Sequence, residues 1–185
     1  MNHERKANEP SALLWLWLTV DVIAVDMITK HLTEHLLKYA QPVTILPVFD
    51  LTLLYNPGAA FSFLATEGGW QRWFFTAIAV GVSAMLIRWL YTLPKTNKWL
   101  AIALALILGG ALGNLFDRLV YGHVIDFISV HWDGSYFPAF NIADSAITVG
   151  AIMLGLDVVF EARCEKAAAQ KSAGSLSKNE SKDKV

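Results

Sequence analysis

The chain has 185 residues, 55% of them hydrophobic, with a formal charge of −1 and a single cysteine; its mean hydropathy is +0.41. The apolar share exceeds the roughly 45–50% of soluble domains and is gathered into four runs, so the composition specifies one integral membrane domain rather than a soluble fold. The near-neutral charge gives no case for nucleic-acid binding, and a lone Cys164 excludes an internal disulfide and a cysteine-rich metal site.

Residues Met1 to Pro10 are polar and carry Arg5 and Lys6. The first apolar run, about 12–32, meets the ~20 residues needed to cross a ~30 Å hydrocarbon core. A cleaved signal peptide is the competing reading, since Val22-Ile23-Ala24 weakly fits a small-residue cleavage pattern. The apolar character continues past that point, which favours a retained span. Asp26 and Lys30 stand four apart, share a helix face and can pair there. Asp21 falls on a different face and receives no role.

The pattern then changes. Val43-Thr-Ile-Leu46 and Phe49-Asp-Leu-Thr-Leu-Leu-Tyr55 are short, β-branched or alternating, and split by Pro47. They predict a small β platform of two or three strands within about 40–66, followed by a turn through Asn56-Pro57-Gly58 into Ala59. Unpaired strand backbone cannot lie in lipid, so the platform belongs at the membrane surface or against protein.

A second span is predicted at about 70–92, with Trp70, Trp73, Trp89 and Tyr91 near its ends as interface aromatics. The third, about 98–120, repeats Ala105, Gly109 and Gly113 every four residues, a stripe that permits close helix approach. The fourth, about 138–161, opens on Pro138, which a first helical turn tolerates. Residues 1–164 thus read as a single transmembrane domain. The remainder, 165–185, is too polar to bury a core and reads as a disordered tail. Eleven of the 15 basic residues lie in the N-terminal tail, in or beside the connection between spans two and three, and in the C-terminal region. The positive-inside rule therefore places both termini and that tail in the cytoplasm, and the β platform outside.

The chemistry-bearing residues collect at the outer ends of the last two spans. Asn114, Asp117 and Arg118 occupy i, i+3 and i+4 near the end of the third, which Gly122 is placed to terminate. Asp126 follows in a short re-entering or surface segment. Asn141, Asp144, Ser145 and Thr148 form a second stripe, with Asp144 about six residues inside Pro138, or roughly 9 Å of depth. Ionisable residues at such places are expensive to desolvate, which marks them as functional. Two carboxylates that share a site cannot both ionise easily, so Asp126 and Asp144 would present an acid beside a base. That combination suits proteolysis by an activated water. Asp117 most simply orients its neighbour Arg118, and His123, three before Asp126, reads as a surface histidine.

Gly-Asn114-x-x-Asp117-Arg118, then Val-Ile-Asp126-Phe, then Phe140-Asn141-x-Ala143-Asp144 resembles the bacterial lipoprotein signal peptidases (signal peptidase II). Asp26-x-x-x-Lys30 and Asn56-x-Gly58-Ala59-Ala-Phe fit the same pattern. The resemblance covers about 26–144. It implies a four-helix membrane bundle with an extracytoplasmic β platform between helices one and two. Its implied catalytic pair is Asp126 and Asp144, supported by Asp26, Lys30, Asn56, Gly58, Ala59, Asn114, Asp117, Arg118, Phe140, Asn141 and Ala143. It further implies an enzyme of the cytoplasmic (inner) membrane without metal or other cofactor, acting as a monomer among membrane lipids. Its substrates would be diacylglyceryl-modified prolipoproteins, cut just before the lipidated cysteine.

Rival chemistries lack their motifs. No His-Glu-x-x-His supports a metalloprotease and no Gly-x-Ser-x-Gly a serine hydrolase. A proton-coupled carrier would place its acids near the membrane midplane with paired internal repeats, neither of which is visible. A non-catalytic scaffold would tolerate loss of either aspartate.

Overall fold

The computed structural model of the protein describes residues 10–58 and 70–182, with side chains as far as Arg163. A 3-10 turn at Ala12–Trp15 leads into α1 (Leu16–Leu36). The strands β1 (Val43–Leu46) and β2 (Phe49–Asn56) precede α2 (Trp70–Thr92) and α3 (Lys98–Val120). Strands β3 (Val124–Trp132) and β4 (Ser135–Tyr136) come before α4 (Ile142–Lys182). Four helical stretches are long and apolar enough to cross a membrane: Ala12–Leu36, Trp70–Thr92, Lys98–Val120 and Ile142–Arg163.

The bundle is organised around α3, the helix with 61% of its apolar window buried, against 17–28% for the other three. Small residues let its neighbours approach. Along the Ala105–Gly109–Gly113 stripe, the Ala105 carbonyl accepts the Thr19 hydroxyl at 3.0 Å. Gly109 packs on Val22, and Gly113 lies so near Asp26 that an added Cβ would stand 2.8 Å from its carboxylate. On the other flank, a Cβ at Gly110 would collide with the Ala143 carbonyl, and one at Gly150 would stand 2.6 Å from the Ala103 carbonyl. These last two contacts seat α4 on α3. At the end far from the strands, Leu86, Leu90 and Leu93 close over Leu100, Leu104 and Leu108, and Ala12 N–H donates to the Leu93 carbonyl at 2.8 Å.

The strands form one antiparallel sheet in the order β1-β2-β3-β4. Half of it comes from after α3, so the platform is not confined to the connection between the first two helices. Asp126 sits inside β3 rather than in a re-entering segment. The reason is visible in Val124-Ile-Asp-Phe-Ile-Ser-Val130, where β-branched residues alternate with smaller or polar ones. Asp133 (φ 48°) and Gly134 (φ 77°) make the two-residue turn into β4, the conformation that Asp-Gly favours in hairpins. Gly122, at φ 84°, ends α3 as its sequence position predicts, and Arg72 Nη2 donates to the Leu119 carbonyl at 2.9 Å.

Two boundaries differ from expectation. Helix α4 begins at Ile142, not at Pro138, because Asn141 caps it; Pro138 lies in the loop before it. In the other direction the helical backbone continues to Lys182, where composition predicts a disordered tail from Glu165. Ala167-Ala-Ala-Gln-Lys171 and its flanking Glu and Lys residues are strong helix formers.

Candidate functional site

Asn141 sets the local geometry. Its Oδ1 accepts the Asp144 N–H at 2.9 Å, and an Asp144 carboxylate oxygen faces the Asn141 N–H at 3.3 Å. This reciprocal pair is a capping box, which stabilises the start of α4 and fixes Asp144 at its third residue. Asp144 is therefore shallower than a helix starting at Pro138 would place it. The Asn141 amide nitrogen points the other way, to Asp126 Oδ1 at 2.8 Å and to Asn114 Oδ1 and the Ile125 carbonyl, each at 3.2 Å. One asparagine thus touches both acids.

The other oxygens are held by amides as well. Asn56 Nδ2 donates to Asp126 Oδ2 at 3.0 Å, while its own Oδ1 accepts the Gly58 N–H at 3.0 Å. Asn114 Nδ2 donates to Asp144 Oδ1 at 2.7 Å. The Phe140 carbonyl accepts N–H bonds from Phe127 and Ile128, and its own N–H donates to the Ile128 carbonyl. These bonds tie the segment that enters α4 to the strand that carries Asp126.

Beneath this layer lies a buried ion cluster. Lys30 Nζ stands 2.6 Å from Asp26 and 2.6 Å from Asp117, and donates to Asn114 Oδ1 at 3.1 Å. Asp26 Oδ1 accepts the Ala143 N–H at 2.9 Å, joining α1 to the first turn of α4. Asp117 also faces the Ile125 N–H at 3.4 Å. Asp117 therefore holds Lys30 and the start of β3 rather than orienting Arg118. Adjacent helix residues do not face each other, and Arg118 instead donates to the Asn114 carbonyl at 3.1 Å with its guanidinium over Phe75 at 5.5 Å.

Both acids open onto a cavity of about 820 Å³. Its walls are Asn56 at the end of β2, Gly58 just after it, Phe75 on α2, Arg118 on α3, and Tyr136 to Phe140 ahead of α4. Asp126 is 3% exposed, whereas Asp144 is half-buried. Burial first, and then the Asp144 charge beside it, push the Asp126 carboxyl up to about 7, against the opposing pull of Asn56, Lys30 and Asn141. A carboxyl there keeps its proton near neutrality beside a second, more accessible carboxyl, an arrangement suited to general acid–base chemistry.

Of the residues singled out from the sequence, Asp26, Lys30, Asn56, Gly58, Asn114, Asp117, Arg118, Asp126, Phe140, Asn141, Ala143 and Asp144 converge on these two layers. Ala59 lies outside the described residues. His123 packs at a tilt against Tyr55, ring centroids 4.4 Å apart, and makes no contact with the two acids. The Tyr136–Phe137 wall was not anticipated; Asp133-Gly134 between two alternating stretches was its signal.

A bundle of spanning helices beneath an acid-lined cavity places the chain among membrane-embedded enzymes. The profile of the family described as Signal peptidase (SPase) II matches residues 18–160, and the chain belongs to that family of proteases. The lipoprotein signal peptidase of Pseudomonas syringae pv. tomato is 63% identical over 148 residues, 79% of this chain and 86% of that one. That of Pseudomonas aeruginosa PAO1 is 60% identical over 79% of this chain and 88% of its own. A solved bacterial membrane enzyme superposes with a TM-score of 0.71 at 27% identity, covering 88% of this chain and 94% of its own.

Proposed function

We propose that the chain is an aspartic endopeptidase that removes the signal peptide from diacylglyceryl-modified prolipoproteins, cutting just before the lipidated cysteine with Asp126 and Asp144 as the catalytic pair. The observation that carries the reading is the single Asn141 touching both carboxylates at the floor of one cavity. Asp126, the more buried, holds the shared proton and donates it to the scissile carbonyl oxygen. Asp144 accepts a proton from the attacking water, whose oxygen bonds to the carbonyl carbon. When the C–N bond breaks, that proton passes to the departing amine, and Asp126 recovers its own from the collapsing diol. Asn56, Asn114 and Asn141 hold the carboxylates, and Arg118 stands at the wall to steady the developing oxyanion.

The apolar wall of Phe75, Phe137 and Phe140 suits an acyl chain, and the positive-inside distribution of lysines and arginines favours a cavity on the extracytoplasmic side with both termini in the cytoplasm. Residues 1–164 form the peptidase domain. The test is cleavage of a diacylglyceryl-modified prolipoprotein by the purified chain in detergent. Cleavage before the modified cysteine, lost in Asp126→Asn and in Asp144→Asn and indifferent to chelator, is the expected result. Full activity in either variant overturns the dyad.

A further inference from the structure

The cavity runs on past the two acids along the face of the sheet, where Thr52 on β2, Ser129 on β3 and Tyr136 on β4 line it. Ser129 stands three residues from Asp126, a spacing that puts side chains on opposite faces of a regular strand. A bulge between them reverses this. The Phe127 and Ile128 N–H groups both donate to the Phe140 carbonyl, at 3.1 and 2.9 Å, so two residues there occupy the place of one. Asp126 and Ser129 therefore share the cavity face. Thr52 and Ser129 lie on either side of the Leu51–Ile128 pair. Thr52 is 8% and Ser129 5% exposed, yet neither hydroxyl bonds to any described residue, and neither oxygen is sealed from the cavity. The amides around the acids, by contrast, are all engaged. A buried polar group without a partner is the exception in folded proteins and calls for a reason.

We propose that Thr52 and Ser129 form a specificity subsite for the second and third residues of the mature lipoprotein, donating to and accepting from polar side chains there. The inference rests on the cleavage proposed above and names the part of the substrate that this half of the cavity holds. Thr52 is two residues from Leu54, the partner of Asp126, and Ser129 is three from Asp126 itself. At about 3.3 Å per residue both lie roughly 7–10 Å along the sheet from that acid, a distance that an extended substrate covers in two to three residues. Of the two sides of the cut, the signal helix is apolar and belongs among the spans. The mature chain is extended, cannot leave its backbone unpaired in lipid, and passes out over the sheet. It lies across the sheet face, since β2 and β3 are both interior strands with no free edge for a further strand to join. Recognition therefore falls to side chains, and a hydroxyl, both donor and acceptor, suits serine, threonine or asparagine.

The test is competition in detergent between two diacylglyceryl-modified prolipoproteins, identical except for Ser-Ser or Ala-Ala at the second and third mature positions. Wild type is expected to favour Ser-Ser about tenfold in kcat/KM, with the difference lying in KM, because one net hydrogen bond is worth up to about that factor. Thr52→Val and Ser129→Ala are each expected to lower the preference, and together to bring the ratio close to one. Thr52→Ser and Ser129→Thr, which keep a hydroxyl, are expected to retain it. A ratio near one in wild type overturns the subsite. So does a preference that survives in Thr52→Val/Ser129→Ala, including the case where both substrates are cleaved more slowly by the same factor. Cleavage of neither substrate by folded wild type instead overturns the peptidase reading, and the subsite with it.

Discussion

Two carboxylate pairs lie one above the other in this protein and meet different ends. Asp26 and Asp117 flank Lys30, whose ammonium lies 2.6 Å from each. Asp126 and Asp144 flank Asn141, and no cation among the described residues forms an ion pair with either. A lysine between two acids offsets one of their two charges, attracts both and ties α1 to α3. An amide between two acids orients them without neutralising them, so the pair must manage its charge by keeping a proton. The lower layer is structural and the upper one is suited to reaction. Asn114 joins them, taking Lys30 and Asn141 on its oxygen and giving its nitrogen to Asp144.

The contrast is tested most severely by removing one acid from each layer. Asp126→Asn and Asp144→Asn are expected to lower the rate of prolipoprotein cleavage by about 10³-fold or more, while the thermal unfolding midpoint in detergent stays level or rises. Rates near wild type would break the distinction. In the lower layer, Lys30→Met strands two buried carboxylates and is expected to lose about 3–5 kcal/mol of stability, read by denaturant unfolding. Adding Asp26→Asn and Asp117→Asn should recover much of that loss. Between the layers, Gly110→Ala pushes α4 away from α3 at Ala143 and is expected to lose about 1–3 kcal/mol, with a parallel fall in activity.

The smallest effect is a displacement in pH. Asp126 is raised to about 7, so cleavage is expected to fall as pH rises through that value and the shared proton is lost. Asn56 stabilises the charged form, and its loss in Asn56→Ala should move the falling limb of the pH–rate profile to higher pH. A limb unmoved or moved down contradicts the assignment. The same carboxyl has a linkage consequence. The folded state holds a proton that the unfolded chain releases near pH 4, so stability declines from about pH 4 to 7 and is level above. Asp126→Asn removes that decline.

Much of this was legible in the residues themselves. The four spans follow from apolar run length, the α1–α3 contact from the Ala105–Gly109–Gly113 repeat, and the Asp26–Lys30 pair from helical spacing. What escaped was non-local. Nothing near Lys30 in sequence announces Asp117, which lies on another helix, and Asp117 was given to Arg118 because the two are adjacent. The second half of the sheet was missed because Asp126 interrupts an otherwise β-rich stretch, and a charged residue there reads as a surface connection. Pro138 drew the start of α4 four residues early because proline suits a first turn. Only the bond between Asn141 and Asp144 identifies the true start, and an Asn-x-x-Asp cap is a weaker signal than Ser-x-x-Glu.

The capping box has a consequence for the order of synthesis. Asn141 both starts the last span and reaches back to Asp126, so the turn that launches this helix also completes the pair of acids. Domains emerge from the ribosome N-terminus first, and three spans and all four strands precede Asn141 in the chain. A partly made chain in the membrane therefore has one acid and no partner for it. The pair of acids is complete only when the final span is in place.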